Sequence, residues 1–128
     1  MILLKSFVLQ GTSVVDAWYA DADPEARANL DARMKYLVQQ PVAEWKRPMY
    51  APLTKSKGVG EVRFKVRRVQ YRPLGFFGPA RMEFTFLMFS THREHYEPRN
   101  AIAEAITRMG LVNADYKLAV AVKGRWNQ

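Results

Sequence analysis

Two groups of side chains in this chain have the types and spacing for work on a polyanion. The first lies in residues 60–72, GEVRFKVRRVQYR. From Glu61 to Arg67 the segment alternates. Val62, Phe64 and Val66 fall on one face of a strand, and Glu61, Arg63, Lys65 and Arg67 fall on the other. Same-face residues on a strand stand about 6.6–6.8 Å apart, which is comparable to the spacing of successive phosphates on an extended nucleic-acid strand. Arg68 and Arg72 follow at once. The second group is His92, Arg93, His95 and Tyr96, which contains both histidines of the chain. Histidine changes charge near neutral pH, so it can take or give a proton in general acid–base catalysis.

The charge distribution points the same way. The chain has 128 residues and a formal net charge of +8. Residues 41–72 hold nine Lys or Arg against two Asp or Glu, so almost all of the excess sits in one quarter of the sequence. Clustered basic charge is the footprint of a polyanionic partner. The plainer reading is a solubilising basic surface, and concentration on one strand face argues against it. The chain has no Cys, hence no disulfide and no thiolate metal site. His92 and His95 are three apart but lack an evident third ligand, and Arg93 between them opposes a cation. No metal and no cofactor are therefore expected. Gly58 and Gly60 bracket one residue and precede a strand, so they do not form a phosphate-binding glycine loop. No apolar run is long enough to span a membrane, and the first residues, MILLKSFVL, read as a strand and not as a signal peptide. The expected compartment is the cytoplasm.

The elements that must position these residues read as one α+β domain over 1–128. Residues 2–9 predict a first strand. Thr12 and Ser13 offer an N-cap for a short helix over 13–21 with Val14, Val15 and Trp18 on one side. Asp23-Pro24-Glu25 opens a second helix to about residue 39, with Ala26, Leu30, Met34 and Leu37 at helical spacing. Asp31 and Lys35 fall one turn apart on its outer side and can pair. Pro41 stops it, and 41–59 reads as a loop with one helical turn near Glu44-Trp45. The basic strand follows over 60–67, then a turn at 68–70, a strand over 70–77, a turn at Gly78-Pro79 and an apolar strand over 82–89. That last strand is expected to be central and buried on both faces. After the polar connection 92–96, Pro98 opens a third helix with Ala101, Ile102, Ala105, Ile106 and Met109 inside and Gly110 as its stop. The tail is either an edge strand, from the alternation of Leu118, Val120 and Val122, or a helix over 113–120. Trp18, Trp45, Phe76 and Phe77 read as packing residues. Tyr71 can stack on a base, but in a hairpin it reads as a cross-strand packing residue.

With these elements in order, GEVRFKVRRVQYRPLGFF, the strand ending FLMFSTHREHY and the helix opening EPRNAIAEAITR resemble the RelE/HigB superfamily of type II toxin–antitoxin toxins, in particular its phage-derived Gp49-like branch. The similar region covers roughly residues 45–109. The resemblance implies a small RelE-like fold: a mainly antiparallel sheet, two helices between the first and second strands, and a helix after the last hairpin strand. It implies a metal-independent endoribonuclease that cuts mRNA in the ribosomal A site, contacts ribosomal RNA and is restrained by a cognate antitoxin, expected to be a helix-turn-helix protein. The ribose 2′-hydroxyl attacks the adjacent phosphorus. Such a reaction needs a base for the 2′ proton, cations for the phosphoryl oxygens and an acid for the leaving 5′-oxygen.

On this reading the expected catalytic residues are Arg63, Lys65, Arg72, His92, His95 and Tyr96. Arg72, at the Tyr-Arg step, is the first choice for the phosphate clamp, because a guanidinium fork can hold two oxygens. Arg67, Arg68, Arg93, Lys55 and Lys57 are expected to hold RNA backbone. The sequence departs from the family where a Tyr would open the last helix, since Glu97 and Pro98 stand there and Tyr96 is the substitute. Two other readings fit the same fold. One is a toxin that inhibits a protein target such as gyrase and cuts nothing. The other is a phage protein whose basic sheet binds nucleic acid without cleaving it. Binding alone needs cations and has no use for two histidines beside them.

Overall fold

The computed structural model describes residues 1–126. Three helices and a mostly antiparallel arrangement of short strands give an α+β fold, the class the sequence predicts. Strand β1 (Leu3–Leu9) turns back through β2 (Thr12–Ser13) into α1 (Val14–Asp21). Ser13 caps α1, its hydroxyl accepting from the Asp16 N–H. Helix α2 (Pro24–Leu37) starts on proline, whose missing N–H costs nothing in a first turn, and buries Ala26, Leu30, Met34 and Leu37 as the spacing predicts. One 3-10 turn at Val42–Glu44 follows. Then come β3 (Tyr50–Pro52), β4 (Gly60–Val62), β5 (Phe64–Val66), β6 (Val69–Tyr71), β7 (Leu74–Phe77) and β8 (Glu83–Met88). The short pair β9 (Thr91–His92) and β10 (Tyr96–Glu97) leads to α3 (Ala101–Ala114) and the edge strand β11 (Ala119–Ala121). Among the described residues no helix is long and apolar enough to cross a membrane.

The larger sheet has the order β11-β1-β8-β7-β4-β3, with β2 attached to β1; only β1 and β8 run parallel. Helices α1 and α2 cover one face and α3 the other. Strand β8 is central and buried on both sides. Phe84 and Phe86 enter the core under α1 and α2, and Leu87 enters the core under α3 with Phe7, Leu74 and Phe76. Val62, Phe64 and Val66 all enter the first core, so the apolar half of the alternation is observed.

The basic segment is not one strand. It breaks at Arg63, where β4 belongs to the larger sheet and β5 to a second sheet of order β10-β9-β6-β5. The predicted strand 70–77 breaks likewise at Arg72-Pro73, between β6 and β7. Pro73 has no N–H to give a ladder, so pairing cannot run through it. Its carbonyl still accepts from the Val62 N–H at 2.9 Å, while Arg63 N–H turns to the Met49 carbonyl at 2.8 Å. The turn between β5 and β6 is Arg67-Arg68, one position earlier than predicted, with Arg67 at φ 56°.

Further corrections concern residues whose partners are distant. Strands β2 and β3 lie in segments that read as loop or cap. At Gly60 on β4 a Cβ would lie 1.9 Å from the hydroxyl of the buried Tyr50, so any larger residue would displace the packed Tyr50 ring. Asp31 accepts from the Tyr19 hydroxyl and from Trp126 Nε1, and no ion pair with Lys35 forms. Gly110 does not end α3, which continues to Ala114. An interior glycine costs roughly 0.5–1 kcal/mol, less than the roughly 1.5–3 kcal/mol from burying the next inward residue, Val112. The tail combines both expectations: α3 reaches Ala114 and a 3-10 turn covers Tyr116–Leu118, and the edge strand is confined to Ala119–Ala121, with Ala119 and Val122 buried and Val120 exposed. Trp18, Trp45, Phe76 and Phe77 pack against the two cores, and Tyr71 stacks on Phe64 across the β5–β6 hairpin at 4.9 Å.

Candidate functional site

Pairing in the second sheet puts four sequence-distant residues in one row. Lys65 on β5 faces Gln70 on β6, Gln70 faces His92 on β9, and His92 faces Tyr96 on β10. Residues paired across strands project to the same face, so the row displays an amine, an amide, an imidazole and a phenol side by side. The opposite face carries Phe64 and Tyr71 toward the core. Arg63 and Arg72, each two residues from a member of this row, share its face at the bend between the sheets.

A two-lobed groove runs along this face. The inner lobe, about 380 Å³, is lined by Glu61, Arg63, Arg72, His92, Arg93 and Tyr96 among others. The outer lobe, about 420 Å³, is lined by Arg33, Arg47, Arg63, Lys65, Gln70 and Arg72, with Pro48 and Phe64 beside them. Arg47, Arg63, Gln70 and Arg72 line both lobes, so they form the wall between them.

Glu61 is the hub beneath the inner lobe. The alternation places it on the polar face, as expected, but it is only 5% exposed. Its Oε2 lies 3.5 Å from Arg63 Nε and 3.5 Å from Arg72 Nε. Its Oε1 accepts the Tyr96 hydroxyl proton. Arg72 is 6% exposed and further held by the Tyr71 carbonyl at 3.0 Å and by Gln70 Oε1. Burial weakens the hold of Arg72 on its proton, Glu61 offsets only part of this, and Arg63 and Arg47 act with burial. Tyr96 is the reverse case. Burial, then the hydrogen bond to Glu61 and its charge, push the phenol well above its ordinary value, and Arg72 and Arg63 offset part of this. Tyr96 therefore keeps its proton at neutral pH.

The expected site residues divide by position. Arg63, Arg72, His92 and Tyr96 meet in the inner lobe, with the His92 and Tyr96 rings edge to face at 4.7 Å. Lys65 is exposed on the outer lobe. Arg93 reaches the inner lobe and also a neighbouring hollow that Arg68 and His92 line. His95 lies exposed in the β9–β10 turn, 3.6 Å from Glu97, and is not among the groove-lining residues. Arg67 turns away to Asp23 at 3.5 Å and Glu25 at 3.1 Å, at the start of α2. Lys55 and Lys57 are exposed on the 53–59 loop with positive φ, 57° and 60°. Among the described residues no group of three or more His, Cys, Asp or Glu could hold a metal ion.

Four polar groove residues were not among the expected ones. Arg47 belongs to the basic quarter of the chain, and its charge was the available signal. Gln70 sits in the hairpin partner of the basic strand, so pairing parity would have found it. Glu61 was visible only as a member of the polar face. Arg33 left no local signal, because α2 brings it to the groove from thirty residues away. No protein-family model, curated protein or solved structure matches this chain.

Proposed function

We propose that this chain is a metal-independent endoribonuclease that cuts mRNA on the ribosome, as the toxin of a toxin–antitoxin pair. The observation that carries the reading is the row Lys65–Gln70–His92–Tyr96 with Arg63 and Arg72 one step along the same face. Phosphoryl transfer from an internal hydroxyl asks for concentrated positive charge beside a proton-transfer group, and this face supplies both. In the proposed reaction the 2′-oxygen bonds to phosphorus and the bond from phosphorus to the 5′-oxygen breaks. His92 takes the 2′ proton. Arg63 and Arg72 offset the charge that builds on the phosphoryl oxygens, and Lys65 holds the strand. Tyr96, with its proton committed to Glu61, fixes the carboxylate and the His92 ring and is not the base. A single histidine at the groove leaves protonation of the leaving group to the ribosomal setting, which also aligns the message. A cognate antitoxin restrains the activity.

Expression in bacteria with mapping of RNA 5′ ends tests this. The parent chain should arrest growth and cut translated messages at codon-defined positions. His92→Gln and Lys65→Ala change half-buried and exposed positions, so they should leave the fold intact by circular dichroism. His92→Gln should reduce cutting by roughly 10²-fold or more, the scale of lost general acid–base catalysis. Arrest with intact messages and damaged DNA would point to a protein target instead, and absence of arrest would refute the toxin reading.

A further inference from the structure

We propose that the outer lobe is a second phosphate subsite, in which Arg33 and Arg47 hold the phosphate next along the RNA strand from the one at Arg63 and Arg72. This rests on the reading of the groove as an RNA site and extends it to a residue pair outside the similar strand and loop. Five cations line the lobe with no carboxylate among its lining residues, because Glu61 opens only on the inner one. Among the described residues the side chains of Arg33, Arg47 and Lys65 have no ion-pair or hydrogen-bond partner, and Arg33 Nε is buried without one. Burial accordingly weakens the hold of Arg33 on its proton. A partly buried, unpaired guanidinium is costly, and the fold treats its other half-buried arginines differently. Arg108 has Glu104 at 3.2 Å, and Arg125, although its Nε is also buried without a partner, has a carboxylate, Asp16, 3.3 Å from its Nη2; Arg33 has none. A phosphate accepting from the Arg33 fork would supply the missing acceptors.

The lobe also has the size and the chemistry of a nucleotide's backbone. Its volume of about 420 Å³ falls within the usual range for small-ligand sites. The one aromatic ring in its lining, Phe64, is 3% exposed and already stacked on Tyr71. The lobe thus offers charge and little stacking surface, which selects phosphate over base. The wall shared with the inner lobe lets one strand occupy both.

A chemical double-mutant cycle tests the assignment. The ligand is a short single-stranded RNA made uncleavable by one 2′-deoxy position, and its affinity for the purified chain is read by fluorescence anisotropy. A neutral methylphosphonate replaces the linkage on each side of the scissile phosphate in turn. One of the two replacements should weaken binding to the parent about tenfold. The double variant Arg33→Gln, Arg47→Gln should bind the all-phosphate RNA about tenfold more weakly and be indifferent to that replacement. Its dependence of log affinity on log salt should be shallower by about 0.7 per lost contact. The double variant Arg81→Gln, Arg99→Gln, an equal charge loss at exposed positions outside the groove, should keep the full methylphosphonate penalty. Removing an unpaired cation should not lower the melting temperature, and a marked fall in Arg33→Gln would overturn the proposal by showing that the fold already satisfies Arg33. If the parent binds RNA and the double variant still feels the neutral linkage, the subsite is refuted and the endoribonuclease reading stands. If the parent binds no RNA at low salt, both fall.

Discussion

Glu61 sets one carboxylate against two guanidinium groups and a phenol, and its burial decides what that arrangement is worth. Exposed pairs at 3.5 Å contribute little. Here Arg72 is as buried as Glu61, so loss of the carboxylate leaves a guanidinium without compensation in a poorly solvated place. Glu61→Gln keeps the shape and an oxygen that can accept from Tyr96, so it removes the charge and little else. It should lower stability by about 1–3 kcal/mol in urea unfolding, with an unchanged denaturant slope. An unchanged midpoint would mean that Arg63 and Arg72 do not depend on Glu61. The same residue shows why the site was only half legible. Parity along the strand put Glu61 with Arg63 and Lys65 correctly, but parity does not say what lies above a face. Tyr96, thirty-five positions later, closes over it, and that contact belongs to the fold and not to the segment.

At the scale of elements, each strand of the basic hairpin passes from one sheet to the other, bending at Arg63 and at Arg72-Pro73. The bends lift the polar face of β5, β6, β9 and β10 out of the larger sheet and leave it open as a groove. Alternation made the inward residues readable, and glycine and proline marked the turns. The bends were legible in principle from Pro73 but not their consequence, since the strand partners of β9 and β10 are fixed by pairing. Buried Tyr50, on β3, makes this region sensitive to alkali. Burial foremost, then the Glu61 charge, raises its phenol well above the ordinary value. The folded chain therefore keeps a proton that the unfolded chain gives up above about pH 10. The contribution is fully present below that pH and is lost as pH rises toward the folded value. Stability should fall by about 1.4 kcal/mol per pH unit for this group. In urea unfolding at a series of pH values above 10, Tyr50→Phe should show a decline shallower by that amount. Equal slopes in the two chains would show that Tyr50 ionises without unfolding.

Across the whole molecule, the last described residues hold the first helices in place. Strand β11 pairs with β1, covering an edge that would otherwise be open beside the parallel β1–β8 pair. Beyond it, Trp126 is 1% exposed, sits against Tyr19 and Phe86, and donates from Nε1 to Asp31 at 2.7 Å. The same Asp31 oxygen accepts from Tyr19 on α1, so one carboxylate on α2 joins α1, α2 and the tail. The sequence left this region ambiguous for a physical reason. Its strand and its anchor have partners about a hundred positions away, and neither periodicity nor capping reports on them. Trp126→Ala should cost about 3–5 kcal/mol, the range for emptying a buried Trp site, and should also leave Asp31 with one donor fewer. Trp126→Phe keeps most of the apolar volume and loses the N–H, so it should cost about 1–2 kcal/mol and separate packing from the hydrogen bond. Because the groove is built from β5, β6, β9 and β10 and none of these touches the tail in the pairing, RNA affinity of the folded Trp126→Phe chain should match the parent. A small loss in Trp126→Ala would show that the tail only rests on the surface. Unequal RNA affinity at matched folding would show instead that the two sheets do not behave independently.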